Sequence, residues 1–301
     1  MTDPAVDVRG LLERCTFPEA GTRIDCAVSG GADSLALLVL AVAAGCVPTA
    51  VHVDHGLRSG SAAEADVVAA VAERFGVPWR SVRVDVEPGP NLEARARAAR
   101  HAALGPAART GHTADDRAET VLLNLLRGAG PDGLAALGPS PRRPILGLRR
   151  SETTELCAAL GIVPVRDPSN DDPRFRRNRI RHEVLPLLCE VAGRDVVPLI
   201  VRTGEHAGTV AELLGELAGE VDVTSAAALR TAPRPVAATA VRQWLRRSDE
   251  EGQPPDAATV ERVLRVASGD IRATEVGRGR RVGRSAGVLR LEEPGGAHRS
   301  G

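Results

Sequence analysis

The chain has 301 residues, enough for a full hydrophobic core and for division into two domains, and its 43% hydrophobic and 26% charged content is ordinary for a globular protein. Its 39 basic residues, every one an arginine, balance 39 acidic ones, which excludes a global electrostatic signature of nucleic-acid binding and leaves that question to local clusters. Cys15, Cys26, Cys46, Cys157 and Cys189 form no Cys-x-x-Cys pair, no leader pattern opens the chain and no apolar run reaches about 18 residues, so the sequence argues against a disulfide framework, a thiolate metal cluster and a membrane span, and for a cytoplasmic location.

Aromatic residues are 2% of the chain, so the core must be built from Ala, Val and Leu. The first strand is expected at Ile24 to Val28, followed by Ser29-Gly30-Gly31-Ala32-Asp33-Ser34 and a helix from Ser34 to Ala44. A strand that passes through a glycine-rich turn into a helix is a phosphate cradle: Gly30 and Gly31 are free to adopt positive φ, so successive N–H groups converge on an anion at a helix N-terminus. Asp33 beside a phosphate is repulsive unless a cation such as Mg²⁺ bridges the two, which points to a metal–nucleotide complex. Neither Gly-x-x-x-x-Gly-Lys-Ser/Thr nor Gly-x-Gly-x-x-Gly fits, and the segment resembles the Ser-Gly-Gly-x-Asp-Ser loop of ATP pyrophosphatases.

Further strands are expected at Thr49 to Val53 and Ser81 to Val86, with a weak one before Thr110, and helices at Ala62 to Phe75 and Leu92 to Leu104. This alternation predicts an α/β fold, a doubly wound, mostly parallel sheet with ligands at the strand C-termini. His52-Val53-Asp54-His55 would then lie beside the glycine loop, in a nucleotide-base or hydrogen-bonding role more readily than as a zinc site. In the Leu92 helix Glu93 and Arg97 form an i, i+4 pair, whereas Arg100 has no acidic residue three or four positions before it. Arg100 is either a surface arginine or a cation over a reacting phosphate or substrate carboxylate.

Gly111-His112-Thr113-Ala114-Asp115-Asp116 leads into the next helix, where Thr113 and Asp116 have capping-box spacing. Capping does not require three carboxylates, and Asp115, Asp116 and Glu119 put at least two on one face, suited to Mg²⁺ or a substrate ammonium. Gly128 is expected to end this helix. The proline-rich, basic segment Gly138 to Arg150 reads as a surface connection, before a helix from Ser151 to Leu160 and an extended piece at Ile162 to Val165. After the turn residues Arg166 to Pro173, the arginines Arg174, Arg176, Arg177, Arg179 and Arg181 form the densest basic patch in the chain, the expected contact for a phosphate backbone. Residues 1–195 are expected to form one domain and 196–301 a smaller, mainly helical one, with a β-hairpin at Gly277 to Leu291.

Taken in order, the motifs resemble those of the tRNA(Ile)-lysidine synthases: 29 to 34, His-Val-Asp-His-Gly-Leu-Arg at 52 to 58, Glu-Ala-Arg at 93 to 95, Gly-His-Thr-Ala-Asp-Asp-Arg-Ala-Glu-Thr at 111 to 120, Leu-Leu-Arg-Gly at 125 to 128, Asp-Pro-Ser-Asn at 167 to 170 and Arg-Asn-Arg-Ile-Arg-His-Glu-Val-Leu-Pro at 177 to 186. The resemblance implies an adenine-nucleotide α-hydrolase-like fold and a ligase that uses ATP and Mg²⁺ to join L-lysine to the wobble cytidine of a tRNA(Ile) with a CAU anticodon, with residues 1–195 as the ATP-pyrophosphatase catalytic domain and 196–301 as the tRNA-binding domain. It implies ATP contacts from Ser29, Gly30, Gly31, Ala32, Asp33, Ser34, His55 and His112, Mg²⁺ on Asp33, and Arg100, Asp116 and Glu119 orienting lysine and the adenylated base, with one carboxylate taking the ammonium proton. A tRNA-thiolating relative and a non-catalytic ATP-binding protein are the alternatives. Between Arg100 and Gly111 the chain is shorter than the family pattern and the strand before Gly111 is poor strand sequence, so either a truncated helix or a frayed fourth strand is expected.

Overall fold

The computed structural model of the protein describes residues 7–54, 61–84, 95, 99, 102–165, 167–249 and 254–293. It opens with helix α1 (Val8–Leu12), then alternates β1 (Arg23–Ala27), α2 (Ala32–Ala43), β2 (Val47–Asp54), α3 (Ser61–Arg74) and β3 (Trp79–Arg83). The three strands are parallel in the order β1-β2-β3, with Cys26 opposite Ala50 and Ala50 opposite Trp79. On the free edge of β1, the Arg109 N–H donates to the Asp25 carbonyl at 2.7 Å and the Ala27 N–H donates to the Arg109 carbonyl at 2.8 Å. This single parallel bridge is the frayed fourth strand, as a stretch reading Pro-Ala-Ala-Arg-Thr predicts.

The chain leaves β1 toward β2 and β3 on one side and returns at Arg109 on the other, so the crevice where strand order reverses lies at the C-terminal end of β1. That topology brings the glycine loop after β1 and the Gly111 segment after Arg109 to the same place. The core is aliphatic, as the scarcity of aromatics requires: Leu35 to Ala41 of α2 are all buried, packed with Ile24, Cys26, Ala50, Val68 and Leu156.

Helices α4 (Ala114–Leu125), α5 (Pro131–Leu134) and α6 (Arg150–Ala159) follow. The segment before α6 is not a surface connection. Ile145, Leu146 and Leu148 are buried, and the Leu148 carbonyl accepts the Ala114 N–H at 2.8 Å, which ties the segment to the start of α4. Ile162 to Val165 forms no strand, although the Val165 N–H donates to the Gly30 carbonyl at 2.9 Å. A 3₁₀ turn at Pro168–Asp171 precedes α7 (Arg176–Arg179), a π-helical turn at Ile180–Val184 and α8 (Leu185–Ala192). Most of the helix expected at Leu92 to Leu104, and the end of the strand expected to reach Val86, lie outside the described residues.

Helix α9 (Val197–Gly219) contains the break between two compact units, residues 1–206 and 207–301. The second unit holds α10 (Ala226–Thr231), α11 (Arg234–Arg247), α12 (Ala257–Ser268) and the antiparallel strands β4 (Ala273–Gly277), β5 (Arg280–Ser285) and β6 (Val288–Glu292). Its own core includes Val241, Val263, Val282 and Leu289. The expected hairpin is the β5–β6 pair, and β4 adds a third strand. Among the described residues no helix is long and apolar enough to cross a membrane.

Candidate active site

Beyond β1 the backbone turns at Gly30, whose φ of +79° is open to glycine and strained for other residues. Gly31 does not share that conformation: its φ is −77°, in extended backbone, and it caps α2 without a side-chain hydrogen bond. The start of α2 thus carries no side-chain cap from Gly31, at the C-terminal end of β1. Ser34 closes the loop on itself, accepting the Ser29 N–H at 3.1 Å and donating to the Gly31 carbonyl at 2.8 Å. Beneath it, the fully buried His52 ring places Nδ1 3.0 Å from the Val28 carbonyl. A carbonyl only accepts, so Nδ1 is the donor in this contact. His55 lies outside the described residues, and His112 is bonded through Nδ1 to the Thr110 hydroxyl at 2.8 Å.

Asp33 projects from the first turn of α2 with its side chain 23% exposed. One carboxylate oxygen accepts the Thr153 hydroxyl and the other accepts Arg150 Nε at 3.3 Å. Burial pushes the Asp33 carboxyl above its usual range, and the Arg150 charge and Thr153 hydrogen bond only partly offset that.

On α4 the predicted cap forms: Asp116 Oδ2 accepts the Thr113 N–H at 2.9 Å. The same carboxylate serves the crevice, because Asp116 Oδ1 accepts Arg150 Nη2 at 3.0 Å. Glu119, one turn on, is completely buried. It accepts Arg150 Nη1 at 3.0 Å, Arg177 Nε at 2.7 Å, and Arg181 Nε and Nη2 at 2.7 and 3.1 Å. Burial alone would raise its carboxyl, but the Arg181 hydrogen bonds, the Arg150 and Arg181 charges and the Arg177 hydrogen bond hold it down at about 2. Glu119 is thus a hub for three guanidiniums. Asp115 turns the other way, to a bidentate pair with Arg149 Nε and Nη2 at 3.0 and 3.1 Å.

The structure thus brings Asp33, Asp116 and Glu119 together around Arg150, which ends the segment expected to be a surface connection. The missed signal was the buried Ile-Leu-Gly-Leu run directly before it. Arg100 lies outside the described residues. The arginine patch divides. Arg177 and Arg181, spaced i, i+4 across the π-helical turn, reach inward to Glu119, while Arg174 and Arg179 lie exposed in local pairs with Asp172 and Glu183 and Arg176 is exposed beside them. The side chains present suit Mg²⁺ in one way only. Among the described residues no cluster of three or more His, Cys, Asp and Glu is placed to hold a metal, so Asp33 would share the ion with phosphate oxygens, a common arrangement for Mg²⁺. Burial pushes the thiols of Cys15 and Cys26 up to about 12 and that of Cys157 to about 11, which disfavours thiolate chemistry.

Residues 6–188 match the PP-loop domain family. The chain is 45% identical over 256 residues to the tRNA(Ile)-lysidine synthase of Nocardia farcinica, an alignment that spans 79% of this chain and 80% of that protein. It is 44% identical to the tRNA(Ile)-lysidine synthase of Rhodococcus erythropolis over 75% of both chains, and 41% identical to that of Mycobacterium leprae over 78% of this chain and 80% of the relative. Among solved structures the fold is similar to that of the U34-tRNA thiolase NcsA from Methanococcus maripaludis, with a TM-score of 0.54 and 18% identity, covering 66% of this chain and 77% of that one. An ordered motif set, a glycine loop at the switch point of a parallel sheet and these matches lead to one conclusion: the chain belongs to the tRNA(Ile)-lysidine synthase family of PP-loop proteins.

Proposed function

We propose that this chain modifies the wobble cytidine of a tRNA(Ile) with a CAU anticodon. The cytosine O2 attacks the α-phosphorus of ATP, diphosphate leaves, and the amine of L-lysine then displaces AMP at C2 to give lysidine. Activation is needed because a carbonyl oxygen is a poor leaving group and AMP a good one. The observation that carries the reading is the convergence of Asp33, from the glycine loop, with Asp116 and Glu119, from the Gly-His-Thr-Ala-Asp-Asp motif, on one guanidinium.

In this reading the α2 N-terminus and the Ser29 and Ser34 hydroxyls hold the phosphates, and Asp33 holds Mg²⁺, which would neutralise the departing diphosphate. Asp116 presents the carboxylate for the lysine ammonium, and Glu119 fixes the arginines around it. Labelled lysine should enter an unmodified transcript of this tRNA when ATP and Mg²⁺ are present, and an Asp33→Ala variant should lose at least about 100-fold in rate. Intact ATP binding without any incorporation would instead identify a non-catalytic relative.

The tRNA backbone is proposed to meet the outward arginines Arg174, Arg176 and Arg179, and the helical second unit is proposed to extend that grip. Each phosphate contact contributes a slope of roughly −0.7 to −0.9 to log K against log salt. Replacing the three arginines by glutamine should therefore flatten the salt dependence of tRNA binding by about two, with ATP affinity unchanged. An unaltered slope would move the contact elsewhere.

A further inference from the structure

Arg150 is the first residue of α6, and its backbone N–H is fixed by Asp115 Oδ2 at 2.8 Å. Its guanidinium is shared among three carboxylates, but unequally. The contacts of Nη1 with Glu119 and Nη2 with Asp116 are each 3.0 Å, whereas that of Nε with Asp33 is 3.3 Å, at the long end of the hydrogen-bond range. Glu119 is also gripped by Arg177 and Arg181, so that end of the network is anchored independently. The contact with Asp33 is the one free to exchange.

We propose that Arg150 guards Asp33, so that the site admits a divalent cation only together with a nucleotide. The inference rests on the assignment of Asp33 to the metal and goes beyond it. With no phosphate present, a divalent ion approaching Asp33 meets a guanidinium already on the same carboxylate oxygen, and Thr153 occupies the other oxygen. Two cations on one carboxylate repel strongly where water is scarce. Nucleotide phosphates reverse the balance, because their negative charge accommodates the metal and the guanidinium together. The rigid guanidinium of Arg150 then pivots on its contacts with Asp116 and Glu119, and phosphate oxygens take over from Asp33 as acceptors of its Nε–H. Asp33 is thereby released for the metal at the moment the substrate to be activated arrives.

The test uses Mn²⁺ as the probe, with the bound fraction read by electron paramagnetic resonance and without any turnover. In the wild-type protein Mn²⁺ should bind at least about tenfold more tightly when a non-hydrolysable ATP analogue is present than without it. Without nucleotide, Arg150→Gln should bind Mn²⁺ at least tenfold more tightly than wild type, and Arg150→Lys, which keeps the charge, should not. The gain should vanish in Arg150→Gln/Asp33→Asn.

Equal Mn²⁺ affinity in wild type and Arg150→Gln would overturn the guard, as would a gain that persists without the Asp33 carboxylate. Equal wild-type affinity with and without the analogue would overturn it too, and that comparison needs no variant to fold. None of these outcomes depends on lysine incorporation, so failure of the guard and failure of the proposed reaction are separately visible.

Discussion

Glu119→Gln is expected to lower the stability of the first unit by about 3 kcal/mol and to abolish lysidine formation. The substitution removes the one carboxylate that receives four N–H groups from Arg150, Arg177 and Arg181, and it turns an amide toward donors that cannot use its N–H atoms. Breaking a buried ion pair costs about 3–5 kcal/mol, and the lower end applies because the arginines remain partly exposed, between 21% and 31%. A thermal melt should show a drop of roughly 6–12 °C for a unit of this size.

Acid gives an independent check with a definite sign. The Glu119 carboxyl is held at about 2 in the fold against an ordinary 4.5, so unfolding takes up a proton as pH falls through that window. The stabilisation is complete above about pH 4.5 and is lost progressively toward pH 2, a change of roughly 3 kcal/mol. Asp33 works in the opposite sense, because its carboxyl is raised in the fold and acid relieves its burial. Stability measured by denaturant at several pH values should therefore fall less steeply below pH 4.5 in Glu119→Gln than in wild type. Parallel curves would contradict the hub.

Gly111→Ala should be nearly as damaging, through backbone contact in place of charge. A Cβ at this position would lie 2.7 Å from the Asp33 carbonyl oxygen, 2.8 Å from its carbon and 3.0 Å from Ser34 Cα. These atoms belong to the first turn of α2 and cannot rotate away as a side chain can. The strand-end segment and the nucleotide loop must separate, at a cost of about 1–3 kcal/mol, and ATP affinity should fall at least tenfold. Gly128→Ala is the natural control, since among the described residues nothing lies within 4 Å of a Cβ there. Its strained φ of +72° should cost about 1 kcal/mol and leave ATP binding intact. Equal ATP affinity in Gly111→Ala and wild type would mean that the two segments are not coupled in this way.

The sequence made the nucleotide loop legible because its signal is local: an apolar strand, two glycines and a helix start within a dozen residues. The capping role of Asp116 was legible for the same reason. Arg150 was not, because its partner Asp33 is 117 positions away and the basic, proline-rich stretch before it imitates a surface loop. Arg177 and Arg181 show an intermediate case. Their i, i+4 spacing announces a shared face, but only packing against α4 decides whether that face meets solvent or Glu119. The glycines divide similarly, since Gly30 needs its positive φ and Gly31 does not. In the second unit β4 went unread because a five-residue edge strand with an exposed Glu275 carries little apolar alternation.

Every described cation paired with Glu119 is a guanidinium, and the chain contains no lysine at all. Guanidinium groups remain protonated throughout the physiological range and do not act as nucleophiles there. An adenylated base is an electrophile that any neutral primary amine nearby would consume. A protein whose positive side chains offer no ε-amine cannot capture that electrophile on one of them, so near the crevice the reactive amine is left for the substrate to bring.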